Sequence, residues 1–262
     1  MNAAPLVTLE GQPALVVRRG TSSYQVSSDV AGFDISADGS AVRVSALPEV
    51  RARAATILEH RVLRMVYQLR GAPSLHASAL STERGVIAFF GPSGAGKSTL
   101  AALASTGSPS WPLVADDYLV IELAADAAMV TPTAAAARVR GDVPDLAGEA
   151  PPTEDDELAG KRRVVLPIER EARPLRALYA IDATDSAEIT IEPMRRGEAT
   201  LAIAASLHRL DPFDPQLLRA ELAFIGDLTA RVPVRRLRYP RTRDGARAAR
   251  AALDLDLRKA SP

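Results

Sequence analysis

The sequence predicts an α/β fold, a strand–loop–helix core with a small β-rich segment in front of it. Three observations carry that prediction. The apolar run Val86-Ile87-Ala88-Phe89-Phe90 feeds straight into a glycine-rich octet, Gly91–Ser98, and Thr99–Leu103 behind it has helix-forming composition. A second apolar triplet, Leu113-Val114-Ala115, ends on Asp116-Asp117. Residues 1–48 break into short apolar runs separated by Gly, Pro, Ser and Asp, as in a small sheet.

Taken in order, Leu6–Leu9, Ala14–Arg18, Tyr24–Ser27 and Val42–Val44 read as strands, with Asp38-Gly39 as a hairpin turn. From Pro48 to Arg70, apolar residues recur at three-to-four-residue spacing, which predicts a core-packing helix. Pro48 suits its first turn and Gly71 its end. Ser74–Ser81 and Gly85–Gly91 are strand-length runs, and a helix is expected from Lys97 to Ser105. Leu113–Ala115 and Leu119–Ile121 follow as strands, split by the two aspartates. Residues 139–162, with Gly141, Pro144, Gly148, Pro151, Pro152 and the acidic run Glu154–Glu157, read as an irregular loop. Order returns with strands at Arg163–Leu166, Leu175–Asp182, Glu188–Glu192 and Val232–Leu237. Helices are expected at Thr200–Ala205, Pro215–Ala230 and Gly245–Leu253. Domain boundaries follow: 1–48 for the β-rich segment and 49–262 for the α/β domain.

Composition narrows the function. Lys+Arg and Asp+Glu balance at 32 each, so no global field attracts nucleic acid or an anionic membrane. The absence of cysteine excludes thiolate chemistry and Cys-based metal sites. His60, His76 and His208 are scattered in sequence, which argues against a histidine-built metal site. Met1–Gly11 lacks the pattern of a signal peptide, and no apolar run reaches the roughly 18 residues of a membrane span, so a cytoplasmic location is expected. Only three of the basic residues are lysines (Lys97, Lys161 and Lys259) against 29 arginines. A lysine retained in such a chain calls for a reason, since an ammonium and a guanidinium differ in chemistry.

The octet Gly91-Pro92-Ser93-Gly94-Ala95-Gly96-Lys97-Ser98 fits the P-loop pattern G-x-x-x-x-G-K-[ST] in full, between a strand and a helix as that pattern requires. Glycines let the backbone N–H groups wrap an anion, and the helix start adds its partial positive charge. Gly91 to Thr99 would hold the phosphates of ATP, with Lys97 reaching the β and γ groups and the Ser98 hydroxyl offered to Mg²⁺. A carboxylate at the end of the neighbouring strand completes such a metal site, and Asp116-Asp117 stands there. Two adjacent carboxylates can divide labour between metal and nucleophile. His76 lies one strand upstream in an apolar run, where on its own it reads as a core histidine. His60 and His208 sit in helical patterns and receive no role.

Together, Leu75-His76-Ala77-Ser78, Gly91-Pro92-Ser93-Gly94-Ala95-Gly96-Lys97-Ser98-Thr99-Leu100-Ala101 and Leu113-Val114-Ala115-Asp116-Asp117 resemble the HPr kinase/phosphorylase family, and more closely its stand-alone HPr-kinase-like serine kinases. The resemblance is specific over residues 70–122. It is weaker beyond Gly160, where Gly160-Lys161-Arg162-Arg163-Val164-Val165-Leu166-Pro167 resembles a basic stretch of the small kinases. It implies a P-loop, HPr kinase-like core that phosphorylates a serine of a protein or peptide with ATP and Mg²⁺. By that resemblance Asp116 would be the general base, Asp117 would support Mg²⁺, and His76 would lie near the transferring phosphoryl group; the two aspartate roles could be exchanged. The long signature of the bifunctional enzymes is missing, so kinase activity is the expectation rather than phosphorylase activity. The full-size bacterial relatives assemble as hexamers, so a homo-oligomer is possible.

Lys161 adds a residue-level expectation: a basic cluster at the end of an acidic loop could fold over the nucleotide and neutralise transition-state charge. Competing classes fit less well. There is no ABC-type signature and no Asn-Lys-x-Asp base reader of a GTPase. A small-molecule kinase shares the loop and differs only in its acceptor pocket. A non-catalytic ATP sensor is disfavoured by the intact aspartate pair.

Overall fold

The computed structural model describes residues 15–106, 111–134, 136–140, 149–150, 160–184 and 188–259. The expected strand Leu6–Leu9 and the acidic run Glu154–Glu157 lie outside them.

Four antiparallel strands come first: β1 (Val16–Arg19), β2 (Ser23–Ser27), β3 (Ala31–Ser36) and β4 (Val42–Ala46), paired in that order. Alternation puts Tyr24, Val26, Phe33 and Ile35 on the buried face. The β3–β4 turn carries Gly39 at φ 68°, a left-handed geometry suited to glycine. Strand β3 has no counterpart in the sequence reading, because Gly32 and Asp34 interrupt its apolar run.

The expected helix from Pro48 is continuous but varies in pitch. A 3₁₀ turn at Pro48–Val50 leads into α1 (Arg51–Ile57), a π-type turn at Leu58–Val62, and α2 (Leu63–Leu69). Gly71, at φ 79°, ends it. Ala54, Ile57, Val62 and Val66 face the first sheet and form one core with it, joined by Leu210.

A mixed nine-stranded sheet, counted among the described residues, forms the second body. Its strands are β5 (Ser74–Leu75), β6 (Ala77–Thr82), β7 (Gly85–Phe90), β8 (Leu113–Ala115), β9 (Leu119–Leu123), β10 (Ala128–Val130), β14 (Arg173–Thr184), β15 (Thr190–Pro193) and β16 (Val234–Pro240). The run Ser74–Ser81 is thus two strands broken at His76, whose N–H donates to the Ser206 carbonyl instead of a sheet neighbour. Strands β7, β14 and β16 are parallel, with Phe90 opposite Ala180 and Leu178 opposite Val234. The rest pair antiparallel. Every residue of β6 and β7 is buried, as expected for strands covered on both faces.

On one face lie α3 (Lys97–Ser105) and the last helix, α6 (Arg243–Lys259), sharing a core with Phe89, Tyr179 and Leu237. On the other lie α4 (Arg196–Ser206) and α5 (Pro215–Arg231), with Ile203 and Ile225 fully enclosed. Asp214 caps α5 by accepting from the Gln216 and Leu217 N–H groups.

The region 139–162, expected to be irregular, requires correction at its ends. A three-stranded sheet is built from β11 (Ala137–Arg140), β12 (Glu149–Ala150) and β13 (Lys161–Val164), with β13 in the middle. Alternating Ala137, Val139 and Val164 enter the core beside α3, and that burial outweighs the loop-like composition.

Candidate active site

The loop between β7 and α3 turns on positive φ angles at Gly91, Gly94 and Gly96. Gly96, at φ 94°, caps α3 without a side-chain hydrogen bond, so the first N–H groups of the helix are left for another acceptor. A Cβ at Gly96 would lie 3.1 Å from the Tyr239 hydroxyl, so β16 closes one side of the loop. Lys97 is buried, and its Nζ donates to the carbonyls of Gly91 and Pro92 at 3.0 and 2.9 Å. Burial lowers its ammonium to about 8, against the pull of Asp117 and Asp116.

Asp116 and Asp117 end β8, which pairs with β6 beside β7. Their environments differ. Asp116 is enclosed: Oδ1 accepts from the Ser78 hydroxyl at 2.6 Å and Oδ2 from the Arg138 N–H at 2.7 Å. The Ser78 hydroxyl lies 3.4 Å from that of Ser98, so a hydroxyl chain joins Asp116 to the glycine-rich loop. Burial raises the Asp116 carboxyl, and these hydrogen bonds oppose the rise.

Asp117 is half-buried and ringed by cations. Arg64 Nη2 lies 2.6 Å from Oδ2, and Arg138 Nη1 lies 3.7 Å from the same oxygen. His76 Nδ1–H donates to the Asp117 carbonyl at 2.9 Å and sits 3.4 Å from Oδ1. Burial alone would raise this carboxyl; Arg64, Lys161 and Arg138 more than offset it and hold it well below the usual carboxylate range. Asp117 has φ 74°, and no other non-glycine residue among those described is left-handed. Such a conformation costs about 1–3 kcal/mol and persists where the surroundings fix it.

The three histidines, scattered in sequence, converge in space. The rings of His76 and His208 meet edge to face with centroids 5.5 Å apart. His208 also lies 3.2 Å from Arg64 Nη1 through Nε2, and burial lowers it to about 3. His60 reaches Asp117 and Arg138 electrostatically, and its Nδ1 is buried without a hydrogen-bond partner. Burial and Lys97 lower His76 as well, while Asp117 opposes the shift.

The structure therefore brings Lys97, Ser98, His76, Asp116, Asp117 and Lys161 into one place; Lys161 acts on both Asp117 and Lys97 through its charge. Sequence reasoning missed Ser78, Arg64, Arg138, His60 and His208. Ser78 stood inside the quoted Leu75–Ser78 motif. The others reside on α2, on β11, on the π-type turn and in the segment just past α4, and carried no pattern of their own. A cavity of about 630 Å³, lined by Ser81, Thr82, Trp111, Arg173 and Arg250, opens at the hairpin end of β6–β7, remote from these residues.

Among the described residues, no group of three or more His, Asp or Glu could hold a metal alone, and no helix is long and apolar enough to cross a membrane. No family model and no curated protein matches the chain. Among solved structures, the HPr(Ser) kinase/phosphatase from Coxiella burnetii matches at 15% identity over 72% of this chain and 99% of that one, with a TM-score of 0.32.

Proposed function

We propose that the protein is an ATP- and Mg²⁺-dependent phosphotransferase that phosphorylates a serine hydroxyl of a protein or peptide. The observation that carries this reading is the division of the aspartate pair. One carboxylate is tied through Ser78 to Ser98, and the other lies beside Arg64 and His76 and acts on Lys97 through its charge.

In this reading the N–H groups of residues 91–99 and the start of α3 receive the ATP phosphates, and Lys97 Nζ exchanges its loop carbonyls for phosphate oxygens. Ser98 and Asp116 are the residues that would hold Mg²⁺. The donor set fits, because Mg²⁺ commonly takes one or two carboxylates and completes its shell with phosphate oxygens and water. Held there, Mg²⁺ would supply positive charge against the phosphates. The enclosure of Asp116 and its tie to Ser98 favour it for this task and leave Asp117 for the acceptor, the reverse of the assignment that the resemblance implies.

Asp117 then accepts the serine proton while the serine oxygen bonds to the γ phosphorus and the bridge to the departing ADP breaks. A carboxylate held so low is a weak base. In a loose transition state the nucleophile keeps its proton until late, so orienting the hydroxyl is the larger task. His76, held by the Asp117 carbonyl through Nδ1, keeps Nε2 for the reacting groups. Lys161 supplies positive charge where negative charge develops on the phosphoryl oxygens.

Calorimetric titration of Mg²⁺ and ATP into paired variants tests the division. Asp116→Asn is expected to lose the dependence of ATP binding on Mg²⁺. Asp117→Asn is expected to bind Mg²⁺ and ATP normally and to lose transfer by about 10²–10⁴-fold. Transfer at the wild-type rate in Asp117→Asn would contradict the assignment.

A further inference from the structure

We infer that the acceptor brings its own negative charge: the cationic face of the β11–β13 ladder beside Asp117 receives acidic residues flanking the serine. This rests on the phosphotransfer reading above and names its substrate class.

The ladder pairs Ala137 with Val164, Arg138 with Arg163, Val139 with Arg162 and Arg140 with Lys161. Directly paired residues share a face, and alternate residues take opposite faces. Ala137, Val139 and Val164 are buried in the core with α3. The other face therefore carries Arg138, Arg163, Arg140 and Lys161, four cations on two adjacent strands. Its orientation toward the candidate site is fixed at two points: Arg138 Nη1 lies 3.7 Å from Asp117 Oδ2, and Lys161 acts on Asp117 and Lys97.

The charge exceeds what the nucleotide requires. Loop amides, the start of α3 and Lys97 already meet the phosphates in the proposed function, and Lys161 meets the group in transfer. Arg138 stands instead beside Asp117, with Arg163 and Arg140 on the same face of the ladder. The whole chain has formal net charge zero, so this clustering is local and does not reflect a basic composition. At physiological salt, charges are felt over about 8 Å, which makes the mouth of the site cationic and selective for an anionic partner.

Spacing refines the class. Residues on one face of a strand recur at about 7 Å, the repeat of alternate residues in an extended peptide. A serine seated at Asp117 thus places its second and fourth neighbours over the Arg138/Arg163 and Arg140/Lys161 pairs. The acceptor is an extended segment with Asp or Glu at those positions.

The test uses the full chain and two fluorescent nonapeptides with a central Ser, one with Glu at the second and fourth positions on each side and one with Gln there. Fluorescence anisotropy is expected to show the Glu peptide binding at least about tenfold tighter, with the advantage shrinking as salt rises. Arg163→Glu should erase that advantage; Arg163→Gln, checked by thermal denaturation, should reduce it and guards against misfolding. Equal binding of the two peptides, or an advantage unchanged in Arg163→Glu, would overturn the proposal. Adding ATP and Mg²⁺ separates the two claims. Selective binding of the Glu peptide without phosphate transfer would sink the phosphotransfer reading and leave the acidic-segment site standing.

Discussion

At the scale of single residues, Asp117 is held from three sides. Its left-handed backbone, the bond from His76 and the Arg64 ion pair all act on one residue. Replacing Arg64 by Met removes the nearest cation. The Asp117 carboxyl should then rise, and the acid limb of kcat/KM against pH should move upward; a limb that stays in place would show that Arg64 does not act on the base. Lys97 gives a second pH signature. Its ammonium sits at about 8 in the free protein, so it is charged below that pH and lost above it. ATP affinity should be flat below about pH 8 and weaken above it, up to about tenfold per pH unit, and calorimetry on Lys97→Met should show no such break. Lys97, Ser98 and the two aspartates could be singled out in the sequence because the octet Gly91–Ser98 and the pair Asp116-Asp117 carry patterns of their own. Arg64, Arg138 and His208 were not, since each comes from a distant segment, and 29 arginines give no reason to single out two.

At the scale of elements, the β7–loop–α3 unit was legible almost to the residue. A fully buried strand reads as a continuous apolar run, and the glycines mark where the backbone must turn. Gly96→Ala tests that unit: at φ 94°, with Tyr239 3.1 Å from the new Cβ, it should cost about 1–2 kcal/mol and weaken ATP binding at least about tenfold. Gly226 is the contrasting case. It lies inside α5, and a Cβ added there would meet nothing within 4 Å, so Gly226→Ala should stabilise by about 0.4–1 kcal/mol in thermal denaturation. Strands β10 and β11 were hidden because three or four residues are too few for alternation to show, whereas β13 overlaps the strand expected at Arg163–Leu166 and begins two residues earlier, at Lys161.

At the scale of the whole molecule, the first sheet and the helix of residues 51–69 share one core, and that helix carries Arg64 to the site. The β-rich segment thereby supports the residue that holds Asp117, a link no sequence pattern announces. Ile57→Ala, at a fully buried position, should cost about 2–5 kcal/mol. It should also lower kcat while leaving the ATP dissociation constant unchanged, because the loop Gly91–Ser98 packs, through Ala95, against a different core. Equal losses in both would argue against that separation. The central claim is transfer of the γ phosphate, and following γ-labelled ATP with Mg²⁺ into a protein extract, beside Lys97→Ala and Asp117→Asn, tests it most directly. The account predicts a labelled polypeptide carrying phosphoserine with the wild-type chain and none with either variant. ATP binding at micromolar concentration with no labelled polypeptide would contradict it.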